Sequence, residues 1–388
     1  MGSKLKSGIA VMTFLLILGM SIFSPLSRGQ QMQSLNLMPV PANVQLGSGS
    51  LKIDANFTVA LAGRSDARLT GAAERFAGRL ARQTGLLMAT KPVQGEKATL
   101  VVRADHDTKP VQEVGEDESY ALEVNSAGAT ITAATDLGAL HGLQTFLQLV
   151  TVSPEGFAAP AISIKDTPRF PWRGLMIDTG RHFIPLDVLR RNIDGLEAVK
   201  MNVFHWHLSE NQGFRVESKK FPKLHESGSD GLFYTQEEIR GLIAYARERG
   251  IRVVPEFDLP GHSTAWFIGH PELASGPGPY SIERRWGIFN PAMDPTNEKV
   301  YKFLDEFIGE MAKLFPDHFF HVGGDEVNGK EWDANLKIQA FIREHDLKGN
   351  AGLQLYFNKK LQAIVSKHGK SMVGWDEVLD PTLPKDIV

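Results

Sequence analysis

Apolar residues follow two different patterns along the chain, and the pattern changes near residue 166. In the first part, short alternating segments are mixed with segments of helical spacing. Strands are predicted over 51–61, 98–103, 120–124 and 130–134, and helices over 69–84 and 136–150. The stretches 153–156 and 166–171 contain three prolines and predict a connection, because proline interrupts regular elements. We therefore predict a small α+β domain over residues 30–165.

Beyond Trp172, short apolar strands alternate with amphipathic helices. The strands are predicted over 174–178, 202–208, 251–258, 318–323 and 371–375, with helical spacing over 186–196 and 300–311 and a capping box at 235–238. Repeated βα units favour a parallel sheet, either a barrel or a doubly wound sheet. The first strand is not followed by a Gly-x-Gly-x-x-Gly turn, which disfavours the nucleotide-binding alternative.

Polar side chains gather where each of these predicted strands ends. They are Asp178, Arg181, His205, His207, Glu210, Glu256, Asp258, His262, Asp325, Glu326, Trp375, Asp376 and Glu377. In a (β/α)8 barrel, the carboxyl ends of the strands and the loops after them form the active site. We therefore predict an α/β fold in which residues 166–388 form a catalytic TIM barrel, with about five to six of its strands present.

The composition and the first residues restrict partners and location. A net charge of −3 provides no basic face, so nucleic acid is not expected as a partner, and the absence of cysteine excludes disulfides. Two lysines precede an apolar run over 9–23, and a small-x-small site follows at 27–29, so residues 1–29 are predicted to be a signal peptide. The run is short for a bilayer span of about 20 residues. We expect an exported protein, periplasmic or extracellular, without a stable membrane partner.

The run 321–326, His-Val-Gly-Gly-Asp-Glu, places two adjacent carboxylates directly after paired glycines. We interpret the glycines as allowing substrate to approach the backbone. One carboxylate is then an acid/base candidate and the other shapes its environment. Two carboxylates that flank a glycosidic bond stand about 5 Å or more apart. Adjacent residues meet that requirement poorly, so a protein nucleophile is disfavoured and the substrate would supply its own.

Other strand-end residues each have a functional and a structural interpretation. Arg181 could donate two hydrogen bonds to neighbouring sugar hydroxyls, or it could only pair with Asp178. His262 follows a Pro-Gly turn and could pair with Glu210 and tune the acid, or it could be a structural turn residue. Trp375 could form an apolar wall of the site, or it could belong to the core.

The pair His205 and His207 would point to one face of a strand, with Trp206 on the other. With His262, His321 and a carboxylate they could bind zinc, as in metal-dependent amidohydrolases. That superfamily carries its His-x-His on the first strand, whereas here it lies on the second. The structural interpretation is a hydrogen-bonded pair at the barrel mouth, and we predict neither a metal nor another cofactor.

Five blocks of the sequence, in this order, resemble family 20 of the glycoside hydrolases, the β-N-acetylhexosaminidases. The blocks are Asp-Thr-Gly-Arg-His-Phe at 178–183, His-Trp-His-Leu at 205–208, Pro-Glu-Phe-Asp-Leu-Pro-Gly-His at 255–262, the run 321–326 and Gly-Trp-Asp-Glu at 374–377. The resemblance extends over the whole chain after the signal peptide, since that family also carries a small α+β domain before its barrel.

The resemblance implies an exo-acting enzyme that removes terminal β-linked N-acetylglucosamine or N-acetylgalactosamine with retention. Glu326 would protonate the leaving oxygen and then activate water, while Asp325 would hold the 2-acetamido N–H. The acetamido oxygen would attack C1 and form an oxazolinium ion, a substrate-assisted route established for family 20. By the same matching, Arg181 would bind ring hydroxyls and Trp375 the acetamido methyl. Its partners would be glycans or glycoconjugates with terminal N-acetylhexosamine.

Glu210 would pair with His262 by that matching, but the sequence departs from the family here and at its end. Glu210 and Asn211 stand where the family usually has two aspartates, which makes the pairing with His262 less direct. The family's later Tyr, Asp, Trp and Glu contacts have no counterpart, and 386–388 resembles the start of a sixth strand. We therefore expect a fragment of a longer protein, poorly soluble and inactive alone. A non-catalytic N-acetylhexosamine-binding protein is the alternative function.

Overall fold

The computed structural model describes residues 35–63, 66–106, 108–385 and 387. The predicted signal peptide, and residues 386 and 388 of the predicted sixth strand, lie outside the described residues. Within those ranges, no helix has the length and apolar character needed to cross a bilayer.

The N-terminal part is a mixed sheet with two helices packed on it. Its strands are β1 (Asn43–Ile53), β2 (Val59–Gly63), β3 (Val93–Gln94), β4 (Leu100–His106), β5 (Tyr120–Asn125), β6 (Gly128–Thr135), β7 (Thr151–Ser153) and β8 (Gly156–Asp166), and its helices are α1 (Ala67–Thr84) and α2 (Asp136–Leu149). The order is β1-β8-β5-β6-β4-β2-β3, with β7 beside β8. This combination of a mixed sheet and two helices is the predicted α+β class. Strands β5 and β6 form the predicted hairpin, and α1 ends at Gly85, which has the left-handed conformation.

Two predictions in this region are wrong. The apolar stretch 51–61 is not one strand, because a turn separates β1 from β2 and the Asp54 side chain accepts from the Asn56 N–H. Residues 153–156 are a hairpin turn between β7 and β8, and not an interdomain connection. Strand β8, which contains Pro160, was not predicted. That residue lies beyond the last β8 residue paired with β5, where a missing N–H is tolerated.

The second part alternates strands and helices. The strands are β9 (Gly174–Asp178), β10 (Val203–Glu210), β11 (Gly213–Phe214), β12 (Arg252–Phe257), β13 (Phe319–His321) and β14 (Ser371–Val373). The helices are α3 (Leu186–Ala198), α4 (Lys223–Gly228), α5 (Gln236–Arg247), α6 (Thr264–Gly269), α7 (Glu298–Leu314), α8 (Lys330–Ala334), α9 (Leu336–Glu344) and α10 (Gly349–Lys367). The predicted capping box is present at the start of α5.

The strand order supports a barrel over a doubly wound sheet. Among the described residues, five parallel strands follow one another in chain order, β9-β10-β12-β13-β14, while β11 pairs antiparallel with β10. A doubly wound sheet would instead reverse its order at a switch point. The five strands are the five that the sequence predicts, and the predicted TIM-barrel class is confirmed.

The strands alternate between a polar inner face and an apolar outer face. Trp206 is buried in the layer between strands and helices and donates its indole N–H to Thr179 Oγ1, at 3.1 Å. Phe257 stacks on Phe320 with ring centroids 5.7 Å apart, and Phe307 of α7 packs edge-on against it at 5.0 Å. This aromatic layer directs the intervening polar residues of β10 and β12 toward the barrel interior.

Buried polar groups connect the N-terminal sheet to the barrel. The Glu118 carboxylate accepts from the Arg173 guanidinium and, at 2.7 Å, from Asn202 Nδ2. Lys200 donates to the Tyr120 hydroxyl at 3.2 Å, and burial lowers the pKa of Lys200 to about 8. Each of these groups is buried or nearly so. In each contact, one partner belongs to the N-terminal sheet region and the other to the barrel.

Close packing of α2 gives a test of this architecture. A Cβ on Gly138 would overlap the Ser119 carbonyl oxygen and contact Ala133, whereas a Cβ on Gly241 of α5 would meet nothing within 4 Å. We expect Gly138→Ala to lower the free energy of unfolding by about 1–3 kcal/mol, the usual effect of overpacking. Gly241→Ala is the matched control and should be neutral or stabilising by about 0.5–1 kcal/mol. Denaturant unfolding of the intact protein measures both, and equal effects would contradict the packing.

Candidate active site

The structure brings all six predicted site residues to the carboxyl edge of the parallel strands. Asp325 and Glu326 follow β13, Arg181 follows β9, Glu210 ends β10, His262 follows β12 and Trp375 follows β14. Their contacts with one another, described below, form one continuous cluster.

The two catalytic candidates leave β13 through a glycine turn. Gly323 and Gly324 have positive φ angles of 67° and 99°. A Cβ on Gly323 would overlap the Asp258 carboxylate, so this glycine allows a buried acid to approach the backbone. That substrate approaches the backbone at these glycines stays a prediction. Glu326 has a left-handed φ of 55° and a side chain that is 43% exposed, while the Asp325 side chain is 22% exposed.

His262 connects the two candidates to Glu210. Its Nδ1 contacts Glu210 Oε1, and its Nε2 lies 3.3 Å from Glu326 Oε2 and 3.8 Å from Asp325 Oδ2. Burial alone would lower the pKa of His262, but the hydrogen bond and charge of Glu210 raise it above its usual value. The backbone at His262 is left-handed, with φ of 50°. Two strained residues on separate loops therefore turn their side chains toward each other.

The longer side chain of Glu210 reaches its partners in spite of the Glu-Asn departure. The fully buried carboxylate lies 2.8 Å from Arg181 Nη2 and also accepts from Asn211, whose Nδ2 is 3.0 Å away. Arg181 donates from its backbone and from Nη1 to Asp178, at 3.0 and 2.9 Å. The structural interpretation of Arg181 as a partner of Asp178 thus describes a real contact, and the same contact holds the guanidinium at the site.

Asp258 is a site residue to which the sequence analysis assigned no role. Its carboxyl is buried, and Oδ1 accepts from the Gly324 N–H at 3.0 Å. Burial, followed by the negative charges of Asp325, Glu256 and Glu210, raises the pKa of Asp258 well above its usual value. Asp325 Oδ1 is buried without a hydrogen-bond partner among the described residues. When protonated, the Asp258 carboxyl can donate a hydrogen bond to Asp325.

His205 and His207 both face Glu256, as expected for a histidine pair on one face of a strand. Glu256 Oε2 lies 2.6 Å from His205 Nε2 and 2.8 Å from His207 Nδ1. Its other oxygen accepts the Trp375 indole N–H at 2.9 Å. The role of Glu256 was not predicted, although its place at a strand end was the signal that could have suggested one.

Three overlapping groups of described residues are close enough to hold a metal ion: His205, Glu256 and His321; His207, Glu210 and Asp258; and Asp258, His262 and Asp325. In the first group, His321 Nδ1 already accepts from the Gly323 N–H, at 3.0 Å. Two ligands on one tetrahedral zinc ion lie about 3.3 Å apart, given bonds of about 2.0–2.1 Å. His205 Nε2 and Glu256 Oε2 are only 2.6 Å apart, which fits direct pairing of the two groups better than a shared ion.

Comparisons with known proteins agree with this architecture. The model of glycosyl hydrolase family 20, catalytic domain, matches residues 170–388, and that of domain 2 of the same family matches residues 34–167. The β-hexosaminidase of Porphyromonas gingivalis is 33% identical over 90% of this chain and 46% of its own length. The β subunit of mouse β-hexosaminidase is 36% identical over 89% of this chain and 66% of its own length.

Solved structures show the same relationship. The chitobiase of Flavobacterium johnsoniae superposes with a TM-score of 0.87 and 48% identity over 91% of this chain and 54% of that one. An exo-β-N-acetylglucosaminidase of Vibrio harveyi in complex with N-acetylglucosamine has a TM-score of 0.73 and 29% identity, over 90% of this chain and 56% of that one. The chain thus spans about half the length of several relatives that it matches. Its strand order, the cluster at the strand ends and the family match over most of its length agree, and the chain belongs to family 20 of the glycosyl hydrolases.

Proposed function

We propose that this site hydrolyses terminal β-linked N-acetylglucosamine or N-acetylgalactosamine with retention, by substrate-assisted catalysis. The observation that carries the proposal is the pair of consecutive carboxylates that face one imidazole. Glu326 and Asp325 both approach His262 Nε2, but the Glu326 side chain is 43% exposed, while the less exposed Asp325 lies beside Asp258. A Vibrio harveyi relative that binds N-acetylglucosamine supports the substrate class.

In this proposal, the Glu326 carboxyl gives its proton to the glycosidic oxygen as the bond from that oxygen to C1 breaks. The acetamido oxygen of the same sugar forms a bond to C1 and gives an oxazolinium ion. The Glu326 carboxylate then takes a proton from water, and the water oxygen attacks C1. The bond between C1 and the acetamido oxygen breaks, which opens the oxazolinium ring. Two displacements at C1 leave its configuration unchanged.

The other residues hold the substrate and the two carboxylates. Asp325 accepts the acetamido N–H, which aims the acetamido oxygen at C1 and stabilises the positive charge of the oxazolinium ion. His262 contacts both Glu210 and Glu326, so it can stabilise the carboxylate of Glu326 after proton transfer. Arg181, fixed by Asp178 and Glu210, presents its remaining N–H groups to ring hydroxyls, and Trp375 packs on the acetamido methyl.

Replacing the acid should affect substrates in proportion to their need for protonation. We expect Glu326→Gln to lower kcat/KM for unactivated glycosides about 10²–10⁴-fold, because the amide supplies no acid. An aryl N-acetylglucosaminide with a good leaving group should lose less in the glycosylation step. Steady-state and single-turnover rates of the intact protein measure both, with the exposed Glu344→Gln of α9 as a control for the same chemical change. Equal losses for both substrates when glycosylation limits the rate would refute the role of Glu326.

Binding of chitobiose without any turnover by the unsubstituted protein would indicate the sugar-binding alternative.

Asp325 should act on the acetamido group and not at the anomeric carbon. We expect Asp325→Asn to weaken a thiazoline mimic of the oxazolinium ion far more than a simple product sugar, because the lost negative charge faces a cation only in the mimic. Calorimetric titration of the intact protein compares the two ligands. A covalent glycosyl ester on Asp325, trapped and found by mass spectrometry, would show a protein nucleophile and contradict the mechanism.

We also propose that the protein is exported to the periplasm or the extracellular space. The charged start, the apolar run over 9–23 and the small residues at 27–29 support this location. N-terminal sequencing of the protein from its native host should find Gln30 as the first residue. A mature protein that still begins at Met1 and remains in the cytoplasm would contradict export.

A further inference from the structure

Glu256 joins Trp375 to the buried histidine pair. It lies on β12 with its inner-face side chain completely buried. Oε1 accepts the indole N–H of Trp375, and Oε2 lies against His205 Nε2 and His207 Nδ1. Contacts on both oxygens, from β10 and from the loop after β14, fix the plane of the carboxylate.

Burial and neighbouring charges determine which of Glu256, His205 and His207 favour their charged forms. Burial alone would lower the pKa of His207, but the Glu256 carboxylate outweighs it and raises the pKa of His207 to about 9. Burial also raises the pKa of Glu256, yet His207 and the hydrogen bonds from the histidines hold it well below its usual range. Burial lowers the pKa of His205. The acceptor for the indole is therefore a carboxylate, and a charged acceptor makes the stronger hydrogen bond.

Trp375 depends on this hydrogen bond for its orientation. Its backbone N–H donates to the Gly323 carbonyl oxygen at 2.9 Å, which places the residue beside the turn that leads to Asp325. The ring is only partly buried and packs edge-on against His321, with centroids 4.9 Å apart. The indole has one polar atom, and Glu256 accepts from it.

We propose that Glu256 is a positioning residue that sets the size of the acetamido pocket through Trp375. The inference rests on the proposed function, because it takes the face of Trp375 as the wall for the acetamido methyl. Held by Glu256, the indole leaves room for a methyl and rejects longer acyl groups. Released, the ring rotates and the selection for the N-acetyl group is lost.

The substitution Glu256→Gln tests this role while it conserves shape. An amide offers one accepting oxygen and one donating NH2, whereas the Trp375 N–H and one ring nitrogen each of His205 and His207 face the carboxylate. With its oxygen toward the two histidines, the amide turns a donor toward the indole N–H. Trp375→Phe is the companion variant, since it keeps an aromatic ring and removes the donor without changing Glu256.

The measurement is the ratio of kcat/KM for aryl glycosides that carry a 2-acetamido or a 2-butanamido group, made with the intact protein. One methylene in a closely fitting pocket is discriminated by about 10–200-fold. We expect both variants to lose most of this preference, and the double variant to lose no more than either single one, because both act through one contact. Gly138→Ala lies far from the site and is the control for a general loss of stability. It should lower the free energy of unfolding without changing the ratio.

The outcomes separate the inference from the function on which it rests. Absence of turnover of the N-acetyl substrate by the unsubstituted protein would contradict the proposed function. An active protein whose ratio is unchanged in Glu256→Gln would overturn the positioning role. If Glu256→Gln does not fold, Trp375→Phe decides, since an unchanged ratio in that variant would also overturn it.

Discussion

Burial of three carboxylates side by side, Glu210, Glu256 and Asp258, is the constraint on which the rest of the site depends. Removing several negative charges from water at adjacent strand ends costs far more than a fold of this size could offset without local partners. Each of the three acids is stabilised in a different way. Glu210 lies between a guanidinium and an imidazole, and Glu256 lies against two imidazoles and an indole N–H. Burial beside the other acids raises the pKa of Asp258 and so favours its neutral form.

The contacts of these buried acids also determine which atoms of the site can take part in the reaction. Because Glu210 faces His262 Nδ1, the Nε2 of the same ring is left to face Glu326 and Asp325. Because the pKa of Asp258 is raised, its neutral form is favoured, which reduces the repulsion between it and a carboxylate at Asp325. Glu326, by contrast, has the most exposed carboxylate of the group and can reach a substrate in the cleft.

Much of this arrangement could be predicted from the sequence. The βα alternation, the capping box at Thr235 and the polar residues at strand ends identified the barrel, since these signals are local. The pairing of Glu210 with His262 was also expected. The role of Glu256 was not, because it depends on the register that places His207 opposite Glu256 between β10 and β12. The break between β1 and β2 was not predicted, for a similar reason. The point at which the stretch 51–61 turns depends on the pairing of β1 with β8 and of β2 with β4, which a single sequence does not show.

The buried seam between the N-terminal sheet and the barrel has a consequence for folding. Separation of the two parts would break the contacts of Glu118 with Arg173 and Asn202, and that of Lys200 with Tyr120. The separated groups would be hydrated, but their mutual hydrogen bonds would be lost, so these contacts oppose the opening of either part alone. We expect the two family domains, although separate in sequence, to unfold together, because these polar contacts cross the boundary between them.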